Sequence, residues 1–68
     1  MQNITLKEKE VLGLVARGFS TKEIAAQLSI SFHTVESYRK NLRTKFNARN
    51  SVELIMKATA MYAIYAGA

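Results

Sequence analysis

The chain has 68 residues, enough for one domain with a small core, since a chain of this size buries only about 60% of the surface it exposes when unfolded. Hydrophobic residues at 49% and charged residues at 22% favour a folded chain over a disordered one. Cysteine and Asp are missing and His33 is the one histidine, so disulfide frameworks, zinc sites, cysteine nucleophiles and catalytic triads lack their parts. The expectation is a protein that works by binding, with no cofactor, no metal and no catalytic residue.

The first residues, Met1 to Asn3, carry no basic run and lead into an amphipathic pattern. The C-terminal uncharged stretch, Ala58 to Ala68, is far short of the roughly 20 apolar residues of a bilayer span. A cytoplasmic location is expected. Thr5 followed three residues later by Glu8 forms a capping box, and Val11, Leu12, Leu14 and Val15 then recur at helical spacing. This first helix should stop at Gly18, which can take positive φ. Ser20 with Glu23 opens a second, short helix whose inward residues are Ile24, Ala25 and Leu28. Ser31 is an N-cap for a third helix, with Val35, Leu42 and Phe46 on one face. Asn50 with Glu53 starts the fourth, which runs apolar to the end. No β alternation competes, so the fold class is all-α, a compact domain of four helices.

Charge is concentrated in the third helix. Residues 1–30 hold four basic and three acidic side chains, net +1; residues 31–50 hold Arg39, Lys40, Arg43, Lys45 and Arg49 against Glu36, net +4; residues 51–68 balance Lys57 against Glu53. A localised basic stripe is the footprint of a polyanion binder, nucleic acid above all, the plain alternative being a solvated structural face. Only Ser29 and Ile30 separate the second and third helices, which sets the two at a steep angle and leaves one face of the third projecting. Short helix, tight turn and longer basic helix make a helix-turn-helix pattern, in which the small Ala25 allows a close crossing.

The run Leu6-Lys7-Glu8-Lys9-Glu10-Val11-Leu12, then Ala16-Arg17-Gly18-Phe19-Ser20, Lys22-Glu23-Ile24-Ala25 and Ser31 to Val35, resembles the DNA-binding domain of the LuxR/FixJ/NarL (GerE-like) transcription regulators. The likeness continues through Arg39, Asn41, Leu42, Lys45, Arg49 and Val52-Glu53-Leu54 and covers roughly residues 4–58, with 59–68 as a helical extension of the single domain 1–68. It implies a four-helix bacterial domain, the output part of a response regulator or receptor, whose third helix enters the DNA major groove and whose fourth often makes the dimer. An upstream receiver or sensor domain would lie outside these residues. Two positions depart from the pattern: Glu36 stands where the family is often basic, and Tyr38 where many members have His.

Read as a wheel at roughly 100° per residue, the third helix turns His33, Ser37, Lys40 and Thr44 outward, with Glu36 and Asn41 on the shoulders. Glu36, Ser37 and Lys40 are the expected base readers: Lys40 donating to guanine, Glu36 accepting from cytosine N4, Ser37 doing either. Glu36 could instead pair with Lys40 along the helix. Expected phosphate contacts are Thr21 and Lys22 at the start of the second helix, with Thr34, Tyr38, Arg43, Thr44, Lys45 and Arg49. Arg39 falls beside the core, where Glu23 or Glu10 could pair with it. The fourth helix has two apolar stripes, Val52, Ile55, Met56, Thr59 and Tyr62 on one side and Leu54, Ala58, Met61 and Tyr65 on the other. One should pack on the domain and one on a second copy, with Leu54, Ala58, Met61, Tyr62 and Tyr65 the expected homodimer contacts. Two other functions fit parts of the pattern. A promoter-reading domain of the sigma-factor type would need a polymerase-contact region that cannot be located, and a helical interaction module would bind an acidic protein through the basic face.

Overall fold

A computed structural model describes the backbone of residues 4–67 and the side chains of residues 4–60. Four helices follow in order: α1 (Leu6–Ala16), α2 (Thr21–Leu28), α3 (Phe32–Lys45) and α4 (Ser51–Gly67), with no strand among the described residues. Each start is fixed by local chemistry. The Glu8 amide donates to Thr5 Oγ1 at 3.1 Å while the Thr5 amide donates to Glu8 Oε1 at 3.0 Å, a complete capping box. Ser20 and Glu23 repeat it at 3.2 and 2.8 Å. Ser31 Oγ accepts from the Thr34 amide at 3.0 Å. At α4 the box is displaced by one residue: Asn50 Oδ1 accepts from the Glu53 amide at 2.9 Å, but the Glu53 carboxylate reaches back to the Arg49 amide at 3.0 Å.

The three helix ends share one device. After α1 the Gly18 amide bonds Val15 O and the Phe19 amide bonds Leu14 O, both at 3.0 Å, with Gly18 at φ +89°. After α2, Ser29 takes φ +56° and the Ile30 amide bonds Ala25 O at 3.1 Å; after α3, Asn47 takes φ +55° and the Ala48 amide bonds Arg43 O at 2.8 Å. Each is a left-handed closure in which the next apolar residue folds back onto the domain. The tight turn between α2 and α3 therefore forms with Ser29 in a conformation that glycine adopts more readily.

The core joins Val11, Leu12, Leu14 and Val15 of α1 to Ile24 of α2, Val35 and Leu42 of α3, and Leu54 and Ala58 of α4. Helix α1 is the hub, packing against the other three, while α2 and α4 do not meet. The α2–α3 pair is thus carried on one side of α1 with its outer face uncovered. The fourth helix requires a correction. Leu54 and Ala58, expected at a dimer contact, are wholly buried in this core, because theirs is the stripe that faces the domain. The opposite stripe is the open one, with Val52 and Met56 each 66% exposed. The side chains of Met61, Tyr62 and Tyr65 lie outside the described residues.

Candidate nucleic-acid interface

The outward face of α3 follows from its inward one. Burying Val35, Arg39 and Leu42, with Tyr38 and Phe46 half-buried against the core, turns His33, Glu36, Ser37, Lys40, Asn41 and Thr44 to solvent. The three expected base readers, Glu36, Ser37 and Lys40, thus share one exposed surface over little more than a helical turn. The α2 N-terminus adjoins it: Thr21 Oγ1 donates to Glu36 Oε2 at 2.7 Å, tying the first residue of α2 to the middle of α3. Glu36 makes no ion pair with Lys40 among the described residues.

The structure sorts the cations that sequence alone left equivalent. Lys45, expected at a phosphate, is engaged within the domain. Its Nζ donates to Glu8 Oε1 at 2.6 Å, with the lysine side chain 25% and the glutamate 5% exposed, so it holds the end of α3 against the start of α1. That bond, joined by the Thr5 amide, keeps the Glu8 carboxyl below its ordinary range in spite of burial. Arg49 pairs with Glu53 at 2.9 Å yet stays 89% exposed. Lys7 lies 3.9 Å from Glu10, the Arg17 guanidinium sits 5.5 Å from the Phe19 ring centroid, and Lys57 donates to the carbonyls of Phe46 and Asn47 at 3.0 Å. Arg39 is buried as expected, but neither Glu23 nor Glu10 pairs with it, since Glu23 closes the α2 cap and Glu10 faces Lys7. Burial lowers the Arg39 pKa, and the charge of Glu36 acts the other way. What remains exposed or half-exposed without an ion pair, side-chain hydrogen bond or ring contact among the described residues is Lys22, Lys40 and Arg43, all on the helix-turn-helix.

The hydroxyls are similarly sorted. Thr34 shares a 2.8 Å hydrogen bond with Ser31 at the α3 cap, and Thr44 donates to Lys40 O at 3.2 Å. Thr21 directs its single proton to Glu36, not outward to solvent. Sequence reasoning missed that contact, which spans fifteen positions and has no local signal. It also missed Phe32, which is 51% exposed at the first residue of α3, its ring edge-on to His33 with centroids 6.4 Å apart. No described helix is long and apolar enough to cross a membrane, and no cluster of metal-ligating side chains occurs among the described residues.

Residues 2–58 match the model of the bacterial regulatory proteins of the luxR family. The chain belongs to this family. The luxR-family domain is 40% identical over 60 residues to the tetrathionate response regulatory protein TtrR of Salmonella typhimurium, covering 88% of this chain and 29% of that protein. It is 46% identical over 55 residues to the transcriptional regulatory protein DesR of Bacillus subtilis, covering 81% and 28%. An uncharacterized response regulatory protein of Escherichia coli, YgeK, is 41% identical over 58 residues, covering 85% and 40%. The luxR-family domain thus spans less than half the length of these relatives. No solved structure matches it.

Proposed function

We propose that the chain is a sequence-specific, double-stranded DNA-binding domain and the output part of a bacterial transcription regulator, with α3 in the major groove. The observation that carries this is the confinement of Lys22, Lys40 and Arg43, cations with no ion pair, side-chain hydrogen bond or ring contact, to the α2–α3 surface, while Lys45 and Arg39 are held within the domain and the other basic side chains have contacts of their own. A polyanion gains most where positive charge is not already neutralised. In this reading Lys40, Ser37 and Glu36 meet base edges. Lys22, Arg43 and the amides at the start of α2 meet phosphates, and Arg49, exposed beside Glu53, can turn to a phosphate. Tyr38 can add its hydroxyl at the edge. A receiver domain upstream would gate the output, and self-pairing would use the open stripe of α4 around Val52 and Met56, giving two opposed half-sites.

Selection of bound duplexes from a random pool at two salt concentrations tests the reading. The expected result is a defined motif, with an affinity that falls with salt at a log–log slope of about −2 to −4 per domain for two to four phosphates neutralised. Retention that is weak and indifferent to sequence would overturn it in favour of a protein-interaction module. Sedimentation of Val52→Ser with Met56→Ser against the parent chain tests the pairing. The double variant should stay monomeric at concentrations where the parent associates, and a parent that never associates would rule self-pairing out.

A further inference from the structure

Glu36 is the one acidic side chain between residues 31 and 50, and it stands on the same exposed face as Ser37 and Lys40. A carboxylate accepts hydrogen bonds and donates none, so phosphates repel it. In the major groove it finds donors on cytosine N4 and adenine N6, but only acceptors on guanine O6 and N7 and thymine O4. An acid on this face is therefore a filter: favourable opposite an amino-bearing base, unfavourable elsewhere. A filter needs a fixed position, and a solvent-exposed glutamate is free to swing away or to pair with Lys40 one turn along.

The structure supplies the fixing contact. Thr21 Oγ1 donates to Glu36 Oε2 at 2.7 Å across the two helices of the helix-turn-helix. Thr21 is the first residue of α2, where the Ser20–Glu23 capping box holds the backbone, and its β-branched side chain has few rotamers. The second carboxylate oxygen, Oε1, has no hydrogen bond to any described residue and stays available to a base edge. Building on the DNA-binding reading above, we propose that Thr21 is a positioning residue for base recognition: it orients Glu36 so that one position of each half-site must carry cytosine or adenine, the amino-bearing bases, on the strand that the carboxylate faces. The Thr21 side chain then contributes to specificity without itself contacting a phosphate, because its hydroxyl proton is directed to Glu36.

The test compares the wild-type chain with Glu36→Gln, Thr21→Val and Thr21→Ser on the duplex selected by the wild type and on its single-base-pair variants. Glu36→Gln, whose amide both donates and accepts, identifies the base pair under Glu36 control, where the wild type should favour cytosine or adenine. Thr21→Val should lower that preference by about three- to tenfold, the range of one hydrogen bond, and leave the salt slope unchanged. Thr21→Ser, which keeps the hydroxyl, should restore most of it. The proposal is overturned if Glu36→Gln changes no position, if Thr21→Val keeps the full preference, or if Thr21→Val weakens every duplex alike with a shallower salt slope, the mark of a phosphate contact. Wild-type protein that prefers no duplex over random DNA would overturn the DNA-binding reading itself, a separate and earlier failure.

Discussion

Lys40 and Lys45 lie little more than a turn apart on α3, yet the fold gives them different work. Lys40 is exposed with no anionic partner, whereas Lys45 closes a half-buried pair with Glu8. Lys45→Ala leaves the Glu8 carboxylate without its strongest donor, at a cost of about 1–3 kcal/mol. In a domain of this size, whose whole stability is roughly 3–10 kcal/mol, that is a large fraction. Thermal melts should show Lys45→Ala well below the parent and Lys40→Ala close to it. Binding assays should show the reverse ordering of effects on base preference, with Lys45→Ala leaving the salt slope unchanged where the protein is folded. A Lys45→Ala chain with a parental melt and a shallower salt slope would return Lys45 to the phosphate contacts. The pair also has a pH signature. Because Lys45 and the Thr5 amide lower the Glu8 pKa, its stabilising effect is complete above the unfolded-state value of about 4.3 and fades as pH falls through the lower folded value. Glu8→Gln, which can still cap α1, should lose stability at neutral pH and show a smaller drop than the parent as pH falls below about 4.3.

At the scale of elements, the helix starts were legible because capping chemistry is local. Thr5, Ser20, Ser31 and Asn50 act as caps where the sequence placed them, and the Arg49 amide in place of Asn50's own is the one adjustment. The end of α1 was legible from Gly18, and that of α2 only from the nearness of the Ser31 cap. Ser29 and Asn47 adopt the same left-handed conformation without glycine's signature, since Asn tolerates it and Ser is held there by the α2–α3 packing. The residual strain is measurable. Ser29→Gly relieves about 1–2 kcal/mol of backbone cost against about 0.5–1 kcal/mol of added chain entropy, so its melting temperature should rise by roughly 2–4 °C. Asn47→Gly should change less. Gly18→Ala should melt lower for backbone reasons alone, as no heavy atom lies within 4 Å of the added methyl. A fall in stability for Ser29→Gly would show that the turn is not held in the left-handed region.

Over the whole molecule, what sequence could not supply was the pairing of distant side chains. Glu8 and Lys45 are 37 positions apart, and Thr21 and Glu36 are 15; both contacts exist only because α1, α2 and α3 pack as they do. The periodicity of α4 likewise announces two apolar stripes but not which one α1 covers, and the core takes the stripe of Leu54 and Ala58. The exposed crest of α3 was readable because Val35 and Leu42 define its opposite side. The central claim is that this crest, with the start of α2, is where DNA docks. Its most direct measurement is a map of backbone amide shifts as the selected duplex is added to the labelled chain. The expected result is that the largest changes fall at Thr21, Lys22, Glu36, Ser37, Lys40 and Arg43, that the outer face of α1 stays quiet, and that α4 changes only at the open stripe where two copies would pair. Changes centred on Lys7 and Lys9 of α1, or on Val52 and Met56 of α4, with an unmoved α3, would contradict it.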